Sequence, residues 1–176
     1  GGFWIASEGN GTAGEAARPV RTANLIFKVS STGVIENIVM LPSDVNAKQV
    51  RFGYEGIAES DGKLVVAFQR AWTGDTHPRI GVYDLAAMTW QFYFYPLDPV
   101  ASPFGGWVGL SEITALGGNR FLVVWEGDDD AAGFGLVDDR DGERTAQSQH
   151  RRTDGVGQVG CSLECGLHQM RDDFGV

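Results

Sequence analysis

Three features of the sequence predict an all-β fold built on a repeated unit. Twenty-five glycines among 176 residues, with no sustained helical periodicity, call for many turns between short strands. Two short apolar runs, residues 54–58 and 64–68, flank an Asp61-Gly62 pair, the strongest short-range signal for a tight hairpin. The unit then recurs: residues 112–126 superpose on 55–69 without a gap, placing Ala115 on Ala58, Phe121 on Leu64, Val123 on Val66 and Trp125 on Phe68. Phe3-Trp-Ile-Ala-Ser-Glu8 matches the second half of the same unit. A repeat of roughly 40 to 60 residues carrying about four strands is the pattern of propeller blades. The expected architecture is a partial β-propeller of about two and a half four-stranded blades over residues 1–142, with residues 143–176 an irregular, disordered tail.

Taken in order, residues 2–7 form the first strand, and Gly9-Asn-Gly-Thr-Ala-Gly14 follows it. This stretch fits the G-x-G-x-x-G pattern of dinucleotide sites, but Pro19 leaves no room for the helix such a site requires, so it is read as a glycine-rich surface loop. Residues 25–30 and 34–41, joined through Gly33, form a hairpin. Strands are expected at 54–58, 64–69, 79–84, 90–95, 108–115 and 120–126, with a further strand-like run at 133–138. The aromatic run Trp90-Gln-Phe-Tyr-Phe-Tyr95 reads as packing between blades. Gly109-Leu-Ser-Glu-Ile113 lacks the last glycine of a nucleophile elbow and enters a hairpin, not a helix.

Composition narrows the function. With 43% hydrophobic residues the chain can bury the core of one domain, and no run of about eighteen or more apolar residues suggests a membrane span. A net charge of −9 argues against a nucleic-acid surface and is compatible with cation-binding sites or with simple solubility. Cys161 and Cys165, with His168, match no common zinc spacing. The chain opens within a strand-like segment and reads as a piece of something longer, so open blade edges would invite self-association.

The hairpin about Gly62 is expected to set Glu55 beside Gln69, and the second unit to set Glu112 beside Glu126, at one end of successive blades. Blades around an axis would aim these ends at a common channel mouth. Glu8, Glu55, Glu112, Glu126 and Asp128 of the acidic loop are therefore candidate ligands for Ca²⁺, which takes oxygen donors in flexible geometry. Glu55 and Glu112 are the candidate catalytic carboxylates, either of which could activate water as a base. The competing reading has these carboxylates capping turns or pairing with Arg51, Arg70 and Arg120. In the polar loop of residues 70–79, His77 is either a turn residue or a substrate contact. Arg79 is either an ion-pair partner or a contact for a small anionic or ester substrate.

Phe3-Trp-Ile-Ala-Ser-Glu8, Gly53-Tyr-Glu-Gly-Ile-Ala58, the strand ending in Gln69, residues 80–84, Tyr95-Pro-Leu-Asp98 and Leu110-Ser-Glu-Ile113 together resemble the phytase-like family, described as having esterase-like activity of phytase. The resemblance covers roughly residues 1–140 and rests on the order and spacing of these segments. It implies a bacterial propeller protein, extracellular or periplasmic, acting as a calcium-dependent phosphoester or related ester hydrolase, with acidic residues of the central channel as ligands. The other class of function left open is a non-catalytic propeller module that binds a ligand or protein partner.

Overall fold

The computed structural model describes residues 1–97, 100, 105–127, 133–138, 145–150 and 166–169. The chain is all-β, with three antiparallel sheets and one short helix among the described residues. Sheet one is β1 (Gly2–Ser7), β2 (Leu25–Ser30) and β3 (Ile35–Met40), in that order. Sheet two is the meander β4 (Tyr54–Ser60), β5 (Lys63–Phe68), β6 (Arg79–Asp84) and β7 (Thr89–Phe94). Sheet three runs in sequence order through β8 (Val108–Gly117), β9 (Arg120–Gly127), β10 (Gly133–Asp138), β11 (Thr145–His150) and β12 (Gly166–Gln169). The helix α1 (Ser43–Asn46) lies in the connection from sheet one to sheet two and buries Val45. So short a turn of helix leaves no periodicity to read in the sequence. No helix among the described residues is long and apolar enough to cross a membrane.

The repeat is visible in the turns. Ser60 pairs with Lys63 around Asp61 and Gly62, both with positive φ (49° and 75°), the conformation a two-residue hairpin loop demands. Gly117 pairs with Arg120 around Gly118 and Asn119, with φ of 61° and 58°. The two hairpins thus use Asp-Gly and Gly-Asn for the same backbone twist. A third turn, from β6 to β7, is closed by Asp84, whose Oδ1 accepts from the amides of Ala86 and Ala87 at 2.9 and 2.8 Å. Those bonds hold its carboxyl below the usual range.

Sheet two is the middle layer, and β5 is buried on both faces. Leu64, Val66 and Phe68 point into a core shared with sheet one, where they meet Ile26, Val39 and Leu41. Val65 and Ala67 point into a second core shared with sheet three, against Leu110, Ile113 and Val123. The period-2 alternation of a strand delivers one apolar run to two interfaces. Phe68 is the hub of an aromatic group, edge-on to Tyr54, Trp72 and Phe92 at centroid distances of 5.2, 4.9 and 6.2 Å. Gly81 on the neighbouring strand makes room for it, since a Cβ there would lie 2.9 Å from Trp90 and 3.3 Å from Phe68. The aromatic strand β7 does pack between sheets: Phe92 belongs to the first core and Tyr93 to the second.

Two expectations need correction. Glu55 does not pair with Gln69. The two-residue turn sets the register Gly56↔Ala67, and a β-bulge between Tyr54 and Gly56 leaves Glu55 the unpaired residue. Likewise Glu112 lies opposite Val124 and Glu126 opposite Gly109, because bulges interrupt β8 between Leu110 and Glu112 and between Ala115 and Gly117. In the stretch expected to be an irregular tail, Thr145–His150 pairs with β10 and Gly166–Gln169 with Thr145–Gln147 and Ser148. Backbone hydrogen bonding extends the sheet there without the apolar alternation by which strands are read from sequence. The rest of residues 143–176 lie outside the described residues.

Sheet one carries apolar side chains on the face turned away from sheet two. Phe3, Ile5, Ile35 and Ile38 are 47 to 62% exposed there, and the register aligns Ile5, Phe27 and Ile38 in one cross-strand row.

Truncation of the aromatic hub is the direct test of the two-core arrangement. Phe68→Ala is expected to cost about 3–5 kcal/mol in chemical denaturation, the range for a fully buried aromatic. A loss below about 1 kcal/mol would show that β5 does not hold the sheets together.

Candidate carboxylate site at the sheet ends

The three sheets meet at one end through a line of close backbone contacts. The Glu8 carboxylate, just beyond β1, accepts a hydrogen bond from the Gly53 amide through Oε1 at 3.0 Å. The Gly53 carbonyl accepts from the Gln69 amide at 2.9 Å, and the Gln69 carbonyl from the Leu110 amide at 2.9 Å. Gly109, beside Leu110, lies across from Glu126. Glycine is required along this line. A Cβ on Gly109 would sit 2.6 Å from the Gln69 carbonyl, and one on Gly53 would strike the Asn24 side chain. Asn24 is fully buried and uses Oδ1 to take the amides of Gly9 and Tyr54 at 3.0 and 3.2 Å, fastening the segment after β1 to the start of β4.

This frame brings together three of the carboxylates predicted as ligands, one from each sheet: Glu8 after β1, Glu55 in the β4 bulge and Glu126 near the end of β9. Partial burial, and then the negative charges of Glu8 and Glu126, push the Glu55 carboxyl above the ordinary glutamate range. Each of the three therefore comes from a different layer, yet they act on a common electrostatic site. Among the described residues no group of three or more acidic, His or Cys side chains is placed closely enough to hold a metal ion. The donor chemistry is nevertheless all-carboxylate, the type preferred by a hard divalent cation.

The other predicted residues are placed differently. Glu112 is exposed on β8, and its Oε1 accepts from the Ile113 amide at 2.8 Å beside Gly56. Asp128 lies outside the described residues. Arg79 is buried and gripped by Asp75 through two bonds of 2.6 and 2.7 Å, with Phe92 and Phe94 against its guanidinium. Lys48 adds a 3.3 Å contact to the same carboxylate. Of the two readings of Arg79, the ion pair is the one this geometry favours. His77 is half-buried in the same loop.

Sequence reasoning missed the role of Phe52. The guanidinium groups of Arg51 and Arg70 lie over its ring at 4.3 and 3.9 Å, and Arg70 also covers Trp107 at 4.4 Å. The only signal was the position of the two arginines at either end of the first hairpin unit.

The fold and the site define a protein of stacked antiparallel sheets whose layers meet at a shared carboxylate group. Residues 1–136 match the phytase-like family, described as esterase-like activity of phytase, and the chain belongs to that family. No curated protein and no solved structure matches it.

The raised Glu55 pKa has a definite sign in stability. Below the ordinary glutamate range the carboxyl is protonated in both folded and unfolded chains and costs nothing. As pH rises, the unfolded chain releases its proton first, so the folded state loses stability until the pH passes the raised folded value. Glu55→Gln is expected to raise Tm near neutral pH, with the gain vanishing at about pH 3 and shrinking in high salt. A variant no more stable than the parent at pH 7 would contradict this.

Proposed function

We propose that the chain is part of a phytase-like β-propeller that hydrolyses phosphoric or related esters with the help of a bound hard cation, Ca²⁺ being the best match to the donors. The observation that carries the reading is the placement of Glu8, Glu55 and Glu126 at adjoining ends of three sheets, where partial burial first, and then the charges of Glu8 and Glu126, raise the Glu55 carboxyl. A divalent cation would relieve that repulsion, and Glu8, Glu55 and Glu126 are the residues that would hold it. Bound there, it would supply Lewis-acid polarisation of an ester oxygen. Glu55 suits the role of base better than Glu112, because its carboxyl is held above the ordinary glutamate range while one Glu112 oxygen is already taken by the Ile113 amide. Family membership supports the ester-hydrolase class and an extracellular or periplasmic setting.

The propeller reading is supported by the meander order of sheet two, by β4 packing on both β1 and β8, and by the outer face of sheet one. By the sequence repeat, β1 corresponds to β5, and the equivalent face of β5 is the one that sheet one covers. A further sheet of the same kind would cover Phe3, Ile5 and Ile38 in turn, and without one this face favours association between copies. In sedimentation velocity the chain is expected to self-associate, and Ile5→Asp with Ile38→Asp to shift it toward monomer. A monomeric parent chain would count against the propeller reading.

Calorimetric titration with Ca²⁺ tests the site. Glu55→Gln is expected to weaken binding by about tenfold or more and to lower hydrolysis of a phosphomonoester in parallel. Glu59→Gln, on the exposed turn side of β4, should change neither. Equal effects of the two substitutions, or none from Glu55→Gln, would favour the non-catalytic binding module.

A further inference from the structure

The glycine-rich stretch after β1 is absorbed by neither the cation site nor the cores, yet it is tightly built. Asn10 and Thr22 form an isolated antiparallel bridge, the Thr12 amide bonds the Arg18 carbonyl at 2.8 Å, and the Arg21 amide bonds the Asn10 carbonyl at 2.9 Å. Gln49, 1% exposed, reaches in from the connection before β4, donating to the Thr22 carbonyl at 3.0 Å and the Gly11 carbonyl at 3.4 Å. Gly11 is buried with φ of 96°, and its α-carbon lies where any Cβ would meet the Pro19 carbonyl. The loop therefore has a fixed shape.

That shape borders a half-open pocket of about 300 Å³ lined by Glu8, Asn10, Arg18, Pro19, Arg21 and Arg51, among others. Three exposed arginines line it in a chain whose net charge is −9. Arg18 is paired with Glu15 at 3.0 Å. Among the described residues no carboxylate is paired with Arg21 or Arg51. Glu8, the acidic member of the lining, already has one oxygen bonded to the Gly53 amide. Two arginines lining one pocket raise its positive potential, and the planar forks of guanidinium groups match the oxygens of a tetrahedral oxyanion.

We propose that this cavity is an oxyanion-binding site in which Arg21 and Arg51 hold a small multiply charged anion of the phosphate type. Recognition is by side chains and not by a nest of backbone amides, because the amides of Gly9, Asn10, Thr12 and Ala13 are all bonded within the fold. The volume sits at the lower end of small-molecule sites, enough for a phosphoryl group and a small substituent. The proposal stands on the cavity and its arginines and does not require the cation at Glu55.

Titration of the full chain with inorganic phosphate, at low ionic strength and with a chelator present, separates the two sites. Saturable binding is expected, weakened about tenfold by Arg21→Gln and by Arg51→Gln and abolished in the double variant, the scale for losing a charged hydrogen-bond donor. Acetate, with a single charge, should bind far more weakly, and Arg120→Gln should leave phosphate binding unchanged. Arg51 also lies over Phe52, so if its variant fails to fold, Arg21→Gln alone decides. No saturable phosphate binding, or equal loss in Arg120→Gln and Arg21→Gln, would overturn the proposal. Either result leaves the cation site to be judged by its own Ca²⁺ titration, since the chelator removes that ion here.

Discussion

Strand β5 carries the structure because its side chains are needed on both faces at once. Leu64, Val66 and Phe68 complete the core with sheet one, while Val65 and Ala67 complete the core with sheet three. A surface strand can lose one face to solvent, but a strand between two layers cannot, so its register cannot slip by a single residue without inverting both cores. The Asp61-Gly62 turn fixes that register from one end, and the aromatic group around Phe68 fixes it from the other.

The same constraint generates the site. Sheets that pack through buried faces can approach closely at their ends only where side chains are absent, and Gly53, Gly56 and Gly109 supply those points. The bulge at Glu55 then turns one residue out of the ladder at the place where the layers are nearest. Carboxylates that are far apart in sequence thereby come under one another's charge, and the pocket that Glu8 lines also carries Arg18, Arg21 and Arg51.

Much of the fold was legible because it depends on local chemistry. Asp61-Gly62 and Gly118-Asn119 mark their turns by residues that tolerate positive φ, and strand limits follow from apolar runs, so the strands expected over residues 2–138 lie within about two residues of those observed. The bulges were not legible, since one unpaired residue such as Glu55 or Ser111 leaves the alternation on either side intact. That is why the predicted Glu55–Gln69 pairing failed. The strand Thr145–His150 was hidden because it joins its sheet by backbone bonds with a polar sequence. The Asp75–Arg79 pair was hidden because loop geometry, not periodicity, brings its members together.

The central claim is that carboxylates from three sheets share one electrostatic site, and the titration of Glu55 observed directly by carbon-detected NMR tests it. Its pKa is expected above the ordinary glutamate range and to fall when either Glu8→Gln or Glu126→Gln removes a neighbouring charge, with a larger fall in the double variant. An ordinary Glu55 pKa, indifferent to both substitutions, would mean that the three carboxylates do not meet.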